Sequence, residues 1–194
     1  MHVLRRNLCR LVIGALLCVS VGCSAPPPQK SQPAAPVAPA SAAPVLEELK
    51  KDWQEQKDSM MKIADAMPEP KFGYKSTPPQ RSYGEQIMHV VIVNAELLKT
   101  IGGKAPAPAV AEQTPKAKSD ILKALADSYD YGMALLNEQT NDTVLETIEG
   151  PSFLGHSTRA RMFWQLLAHS MDVYGQMAVY LRLNGIVPPA SRAI

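Results

Sequence analysis

The longest amphipathic pattern in the chain is TRARMFWQLLAHSMDVYGQMAVYLRLN, residues 158–184. Its apolar residues recur at spacings of three, four and seven, at Phe163, Leu166, Val173, Met177 and Leu181. This spacing puts them on one face of an α-helix, which turns once every 3.6 residues. Gly185 suits a C-terminal cap, and the prolines at 188 and 189 block continuation. The pattern therefore predicts a long helix with one buried face.

Three earlier segments show the same periodicity, at residues 46–67, 83–101 and 119–138. The second follows Ser82 and Glu85, which form a capping box that satisfies free backbone N–H groups. We expect no strand in the connecting loops, which are rich in proline or contain a Gly-Pro pair. Four amphipathic helices of about 20 residues predict an all-α, antiparallel four-helix bundle over residues 46–194.

The N-terminus is typical of an export signal. Three arginines precede an uncharged, largely apolar run at residues 11–22, too short to span a membrane, which needs about 20 apolar residues. The run ends Val-Ser-Val-Gly-Cys at residues 19–23, and small residues before a cysteine resemble a bacterial lipobox. We therefore expect a signal peptide at 1–22, lipid attachment at Cys23, and a location in the periplasm or on the cell-envelope membrane. Most lipoboxes carry Leu where this chain has Ser20, so simple cleavage after Gly22 and plain secretion is the alternative.

Residues 23–45 are rich in proline and alanine, which favours a disordered linker between the anchor and the domain. Beyond the three leader arginines, 17 Lys+Arg face 18 Asp+Glu. This balance argues against a nucleic-acid partner. All three cysteines lie within the first 23 residues. The mature domain therefore has no thiol for a nucleophile, a disulfide or a cysteine-ligated zinc.

Two histidines on different helices are the candidate functional residues. On the fourth helix, His169 lies at the edge of the apolar stripe, and the side chains on the same side are Gln165, Asp172 and Gln176. On the second helix, His89 groups with Glu85 and Glu96. If these faces meet, they form a polar pocket with two imidazoles and a carboxylate, suited to metal binding or general base chemistry. The alternative is that His89 is simply solvated and His169 is hydrogen-bonded to a neighbour.

Two parts of the chain resemble the DinB family. SYGEQIMH at residues 82–89 looks like the family's second-helix signature, and HSMDVYGQ at 169–176 with YLRLNGIVPP at 180–189 looks like its fourth-helix signature. The resemblance covers about residues 47–192 and implies a DinB/YfiT-type four-helix bundle. Many members bind a divalent metal through three histidines, one on the second helix and two at i, i+4 on the fourth. Characterised members include thiol-dependent transferases and isomerases.

When the family's ligand positions are carried over to this sequence, the resemblance implies that His89 and His169 are two of the metal ligands. The third position is Val173, whose aliphatic side chain cannot donate to a metal. Asp172 is a possible substitute, but it is rotated by about 100° around the helix. We therefore expect zinc or nickel to bind weakly, if it binds.

Two functions follow from this sequence. The first is a binding or scaffold module at the cell envelope with a degraded metal site, an unidentified small-molecule ligand and a possible homodimer. The alternative is a divalent-metal-dependent hydrolase or transferase that uses His89 and His169.

Overall fold

A computed structural model of the chain describes residues 44–110 and 115–192. These ranges contain four long helices: α1 (Val45–Ala66), α2 (Tyr83–Lys99), α3 (Lys118–Asn137) and α4 (Arg159–Leu183). Their bounds agree within two residues with those predicted, and the all-α bundle is confirmed. Short 3-10 turns lie at Glu69–Lys71, Thr143–Leu145 and Pro189–Ser191. The predicted signal peptide at 1–22, Cys23 and the predicted linker up to residue 43 lie outside the described residues.

Local hydrogen bonds explain where α2 and α4 begin and end. The backbone N–H of Glu85 donates to Ser82 Oγ at 3.3 Å, and the N–H of Ser82 donates to Glu85 Oε2 at 2.6 Å, as the capping box predicts. Thr158 caps α4 by accepting from the N–H of Arg161. Gly185 follows α4 with φ of +73°, a conformation that glycine adopts without steric cost.

The helices pack in a ring in which α1 and α2 each contact α3 and α4. The pair α2 and α4 is antiparallel. The Tyr180 hydroxyl donates to the carbonyl of Arg81 just before α2, and Arg159 Nε donates to the carbonyl of Ile101 just after it. The prediction of antiparallel neighbours does not hold for α2 and α3, which run in the same direction: Gly84 faces Ile121 near both starts, and Asn94 donates to Ser128 further along. The long 100–117 connection permits this order.

The core is built around the indole of Trp53. Its ring centroid lies 5.1 Å from that of Tyr129 and 5.2 Å from that of Phe163, and its Nε1 donates to the Tyr129 carbonyl at 2.8 Å. On α3, Gly132 lies directly against this indole. The apolar positions predicted to be inward on α4 are all buried: Phe163, Leu166, Val173, Met177 and Leu181. The helical stripes therefore define the core.

The prediction that the chain has no strand is wrong. Strands β1 (Thr147–Glu149) and β2 (His156–Thr158) form an antiparallel hairpin. Three residues are too few to show an alternating pattern, and the turn depends on Gly155, at φ of +56°, and on the Gly150 N–H donating to its carbonyl. His156 is an exposed β2 residue whose Nδ1 lies 2.9 Å from Glu149 Oε2. In the described ranges, no helix has both the length and the apolar character needed to cross a membrane.

Candidate functional site

The structure brings together the two histidines that the sequence singled out. His89 of α2 and His169 of α4 are both half-buried, and their Nε2 atoms lie 3.1 Å apart. The two rings meet edge to face, with centroids 4.9 Å apart. The antiparallel packing of α2 and α4 sets this register, since Arg81 meets Tyr180 at one end and Ile101 meets Arg159 at the other.

A separation of 3.1 Å allows a hydrogen bond between the rings when one Nε2 carries a proton. On the other side of its ring, His169 Nδ1 is buried and has no hydrogen-bond partner among the described residues. A buried N–H donor without an acceptor is rarer than an unpaired acceptor. This favours the tautomer in which His169 Nε2–H donates to His89 Nε2.

The surroundings of the pair favour the neutral form of both rings. Burial lowers the pKa of His89 and of His169 below the ordinary value of 6.5, because the protonated ring loses hydration. The carboxylate of Asp172 raises both pKa values, while the positive charge of Arg81 lowers both. A neutral imidazole can accept a hydrogen bond or bind a metal.

A chain of hydrogen bonds connects α2 to α4 beside the pair. Gln86 Nε2 donates to Gln176 Oε1 at 2.9 Å, and Gln176 Nε2 donates to Asp172 Oδ2 at 2.9 Å. Gln86 is fully buried one turn before His89, and sequence reasoning missed it. The feature that could have identified Gln86 is a polar residue next to Ile87, on the buried side of α2. The carboxylate of Asp172 therefore already accepts a hydrogen bond from Gln176.

The residue at the third position of the expected ligand set has no atom that can bind a metal. Val173 lies one turn after His169, is 1% exposed and belongs to the hydrophobic core. Within residues 44–110 and 115–192, no group of three or more His, Cys, Asp or Glu side chains could hold a metal ion. Two imidazoles therefore do not fit a site with three protein ligands.

Two cavities meet at His89. An apolar cavity of about 380 Å³ is lined by His89, Ile92, Val93, Glu96, Leu97, Phe153, Gln165 and His169. A charged cavity of about 420 Å³ is lined by Lys75, Pro79, Gln80, Arg81, Glu85, Met88, His89 and Ile92.

Among the predicted pocket residues, Gln165 lines the apolar cavity and Glu85 the charged one, whereas Gln176 serves the hydrogen-bond chain. Sequence reasoning missed Phe153 and Arg81. Both lie outside the helices, where periodicity carries no signal.

The model of the DinB family matches residues 41–193. The chain belongs to the DinB family. Members of this family typically bind a divalent metal.

Among solved structures, the bundle is similar to the crystal structure of a DinB-like protein from Bacillus cereus ATCC 10987. The TM-score is 0.64 at 18% identity, over 74% of this chain and 95% of that one. This likeness supports the DinB fold. No curated protein matches the chain significantly.

Proposed function

We propose that this DinB-family chain is an exported, lipid-anchored binding module of the cell envelope that holds a small molecule beside His89 and His169 without a catalytic metal. The observation that carries the proposal is Val173, a buried aliphatic residue at the third ligand position. A metal held by two imidazoles and water binds more weakly than one held by three protein ligands.

The nearest carboxylate does not readily replace the missing ligand. Asp172 accepts a hydrogen bond from Gln176, which in turn accepts from the buried Gln86. Turning Asp172 toward the histidines would break the hydrogen bond that its carboxylate accepts from Gln176 Nε2. The hydrogen bond from Gln176 therefore supports a site in which Asp172 does not act as the third metal ligand.

The cavity beside the pair has the properties of a small-molecule site. Its volume of about 380 Å³ is in the range of about 300–1,000 Å³ that is usual for ligand pockets. Mostly apolar walls with a few polar groups, here His89, His169 and Gln165, favour an oriented organic ligand. The lipobox-like end at Cys23 supports retention at the envelope, with the proline- and alanine-rich segment predicted at residues 23–45 as a spacer.

Metal content tests the proposal. The chain, purified without a His tag, is analysed for divalent metal per chain, and zinc and nickel are then titrated into the metal-free protein. We expect no stoichiometric metal in the wild type and weak binding at best. Val173→His should restore the third ligand and raise the content toward one metal per chain. The matched control is Val179→His, at a half-exposed position further along α4, which should bind no more metal than the wild type.

The alternative is a divalent-metal-dependent hydrolase or transferase. The observation that favours it is the 3.1 Å separation of the two Nε2 atoms, since both can then reach one ion at about 2.0–2.1 Å. Near one metal per wild-type chain with submicromolar affinity, lost in His89→Ala, would contradict the binding-module proposal and support this enzyme.

A further inference from the structure

The two cavities that meet at His89 differ in chemistry. One has apolar walls from Val93, Leu97 and Phe153, and the other carries the cations of Lys75 and Arg81. Because His89 and Ile92 line both, one elongated ligand can occupy the two cavities with the imidazole between its ends. The arrangement therefore distinguishes an apolar end from a charged end.

Two large hydrophobic side chains that line the apolar cavity are exposed to solvent. Phe153 is 64% exposed at the tip of the β1–β2 hairpin, and Ile92 is 41% exposed on α2. Covering such surface stabilises a complex by about 25 cal/mol for each Å² removed from water. Phe153 is not part of the hydrophobic core, and it lies in a turn in which the N–H groups of Leu154 and Gly155 donate to the Pro151 carbonyl. An apolar ligand group would bury both side chains.

The charged cavity contains one cation that no carboxylate neutralises. Glu85 accepts from the Ser82 N–H and lies 3.5 Å from Lys75. In contrast, Arg81 has no carboxylate within 4.0 Å among the described residues. Its backbone is held in place, because its carbonyl accepts from the Tyr180 hydroxyl at 2.7 Å. A guanidinium binds an oxyanion through two parallel N–H···O bonds.

The other acidic groups near the pair already have partners. Glu96 Oε1 lies 2.7 Å from Lys99 Nζ, and Asp172, which accepts from Gln176 Nε2 at 2.9 Å, lines neither cavity. Lys75 is compensated by Glu85, so Arg81 remains as the single positive charge to be matched. One uncompensated cation fits a ligand with one negative charge.

We infer that the ligand is an amphipathic monoanion, with an aliphatic or aromatic body against Phe153 and Leu97 and a carboxylate-like head at Arg81. This inference rests on the proposed function, because it names the ligand class of the same site. The imidazoles of His89 and His169 lie between the two ends, where they contact the body of the ligand close to its head.

The test uses decanoate, kept below its micelle-forming concentration, titrated calorimetrically into the exported chain carrying Cys23→Ser so that no detergent is needed. Decanol supplies the same tail without charge, decyltrimethylammonium supplies the opposite charge, and acetate supplies the head alone. We expect decanoate to bind at least about tenfold more tightly than decyltrimethylammonium, and acetate not to bind. Arg81→Gln should weaken decanoate by about tenfold or more and leave decanol unchanged.

Two further variants locate the ends of the ligand. Phe153→Ser should weaken decanoate and decanol alike, since it removes apolar wall and no charge. The matched control is Arg161→Gln, an exposed arginine on α4 that lines neither cavity. It should change the affinity for neither compound.

The outcomes separate this inference from the proposed function. If decanol binds and shifts the His89 and His169 NMR signals while decanoate does not bind, the monoanion is wrong and the small-molecule site stands. Equal decanoate affinity in wild type and Arg81→Gln would likewise overturn the assignment of the head. Binding to phosphatidylglycerol vesicles without binding of monomeric decanoate would overturn it in favour of a membrane surface. Stoichiometric zinc in the wild type would overturn the proposed function itself.

Discussion

His89 Nε2 lies 3.1 Å from His169 Nε2, although 80 residues separate the two along the chain. The contact crosses from α2 to α4 and places two imidazoles at the junction of an apolar and a charged cavity. Val173, where the resemblance implies a third metal ligand, is buried, and the 3.1 Å contact allows a hydrogen bond between the two rings.

Stability should fall as the pH drops through the range in which histidine titrates. Both rings have a pKa below the ordinary 6.5, mainly because of burial. Below a pH of about 6.5, the unfolded chain therefore binds more protons than the folded chain, and the free energy of unfolding decreases. Thermal midpoints measured from pH 7.5 to 5.5 should decrease, and the double variant His89→Gln, His169→Gln should give a flatter profile. An unchanged slope in the double variant would contradict the burial of the pair.

The range from pH 7.5 to 5.5 separates the titration of the histidines from that of Glu85. The pKa of Glu85 is lowered, chiefly by the hydrogen bond from the Ser82 backbone. Its contribution to the free energy of unfolding is fully present above the pKa that Glu85 has in the unfolded chain, and it is lost only at more acidic pH. Measurements above pH 5.5 therefore report mainly on the histidines.

Two nearby charges should move the histidine pKa values in opposite directions. Asp172 raises both pKa values and Arg81 lowers both. Asp172→Asn should therefore lower the pKa of both rings, and Arg81→Gln should raise both, as followed by NMR of the ring C–H signals against pH. Asp142→Asn, in the loop after α3, is the matched control and should shift neither ring. A shift of the same sign in both charge variants would be inconsistent with this geometry.

Two helical glycines should respond oppositely to alanine. A Cβ on Gly132 would lie 2.6 Å from Cε2 of Trp53, whose indole is held by its hydrogen bond to the Tyr129 carbonyl. Gly132→Ala should therefore destabilise the bundle by about 1–3 kcal/mol. Gly175 lies on α4 with nothing within 4 Å of such a Cβ. Gly175→Ala should stabilise by up to about 1 kcal/mol through helix propensity.

Urea unfolding of the two glycine variants measures both effects on one scale. A neutral or stabilising Gly132→Ala would show that Trp53 packs elsewhere, since the overlap leaves the indole no room to stay in place.

Lipid attachment should depend on one cysteine. Cys23→Ser should abolish incorporation of labelled palmitate and move the protein from the membrane fraction to the soluble fraction, because the acyl acceptor is lost. Cys18→Ser, inside the apolar run, should leave both unchanged. Wild-type protein that carries no label and begins at Cys23 would instead indicate simple cleavage after Gly22.

Helix bounds and the candidate histidines could be predicted from the sequence because their causes are local. The capping box of Ser82 and Glu85 and the stop at Gly185 each act within about four residues. The periodic stripe of α4 determines which face is buried. Resemblance to the DinB family added the expected role of His89 and His169 as metal ligands and the expectation of a third ligand at position 173, neither of which follows from helical spacing.

Tertiary structure decided what surrounds those histidines. The 3.1 Å contact, the Gln86–Gln176–Asp172 chain and the parallel course of α2 and α3 all depend on which helices are neighbours. The β1–β2 hairpin that carries Phe153 has strands of three residues, too short for any pattern. Local hydrogen bonds and side-chain periodicity can be read along a chain, whereas contacts between distant segments exist only after the core has packed.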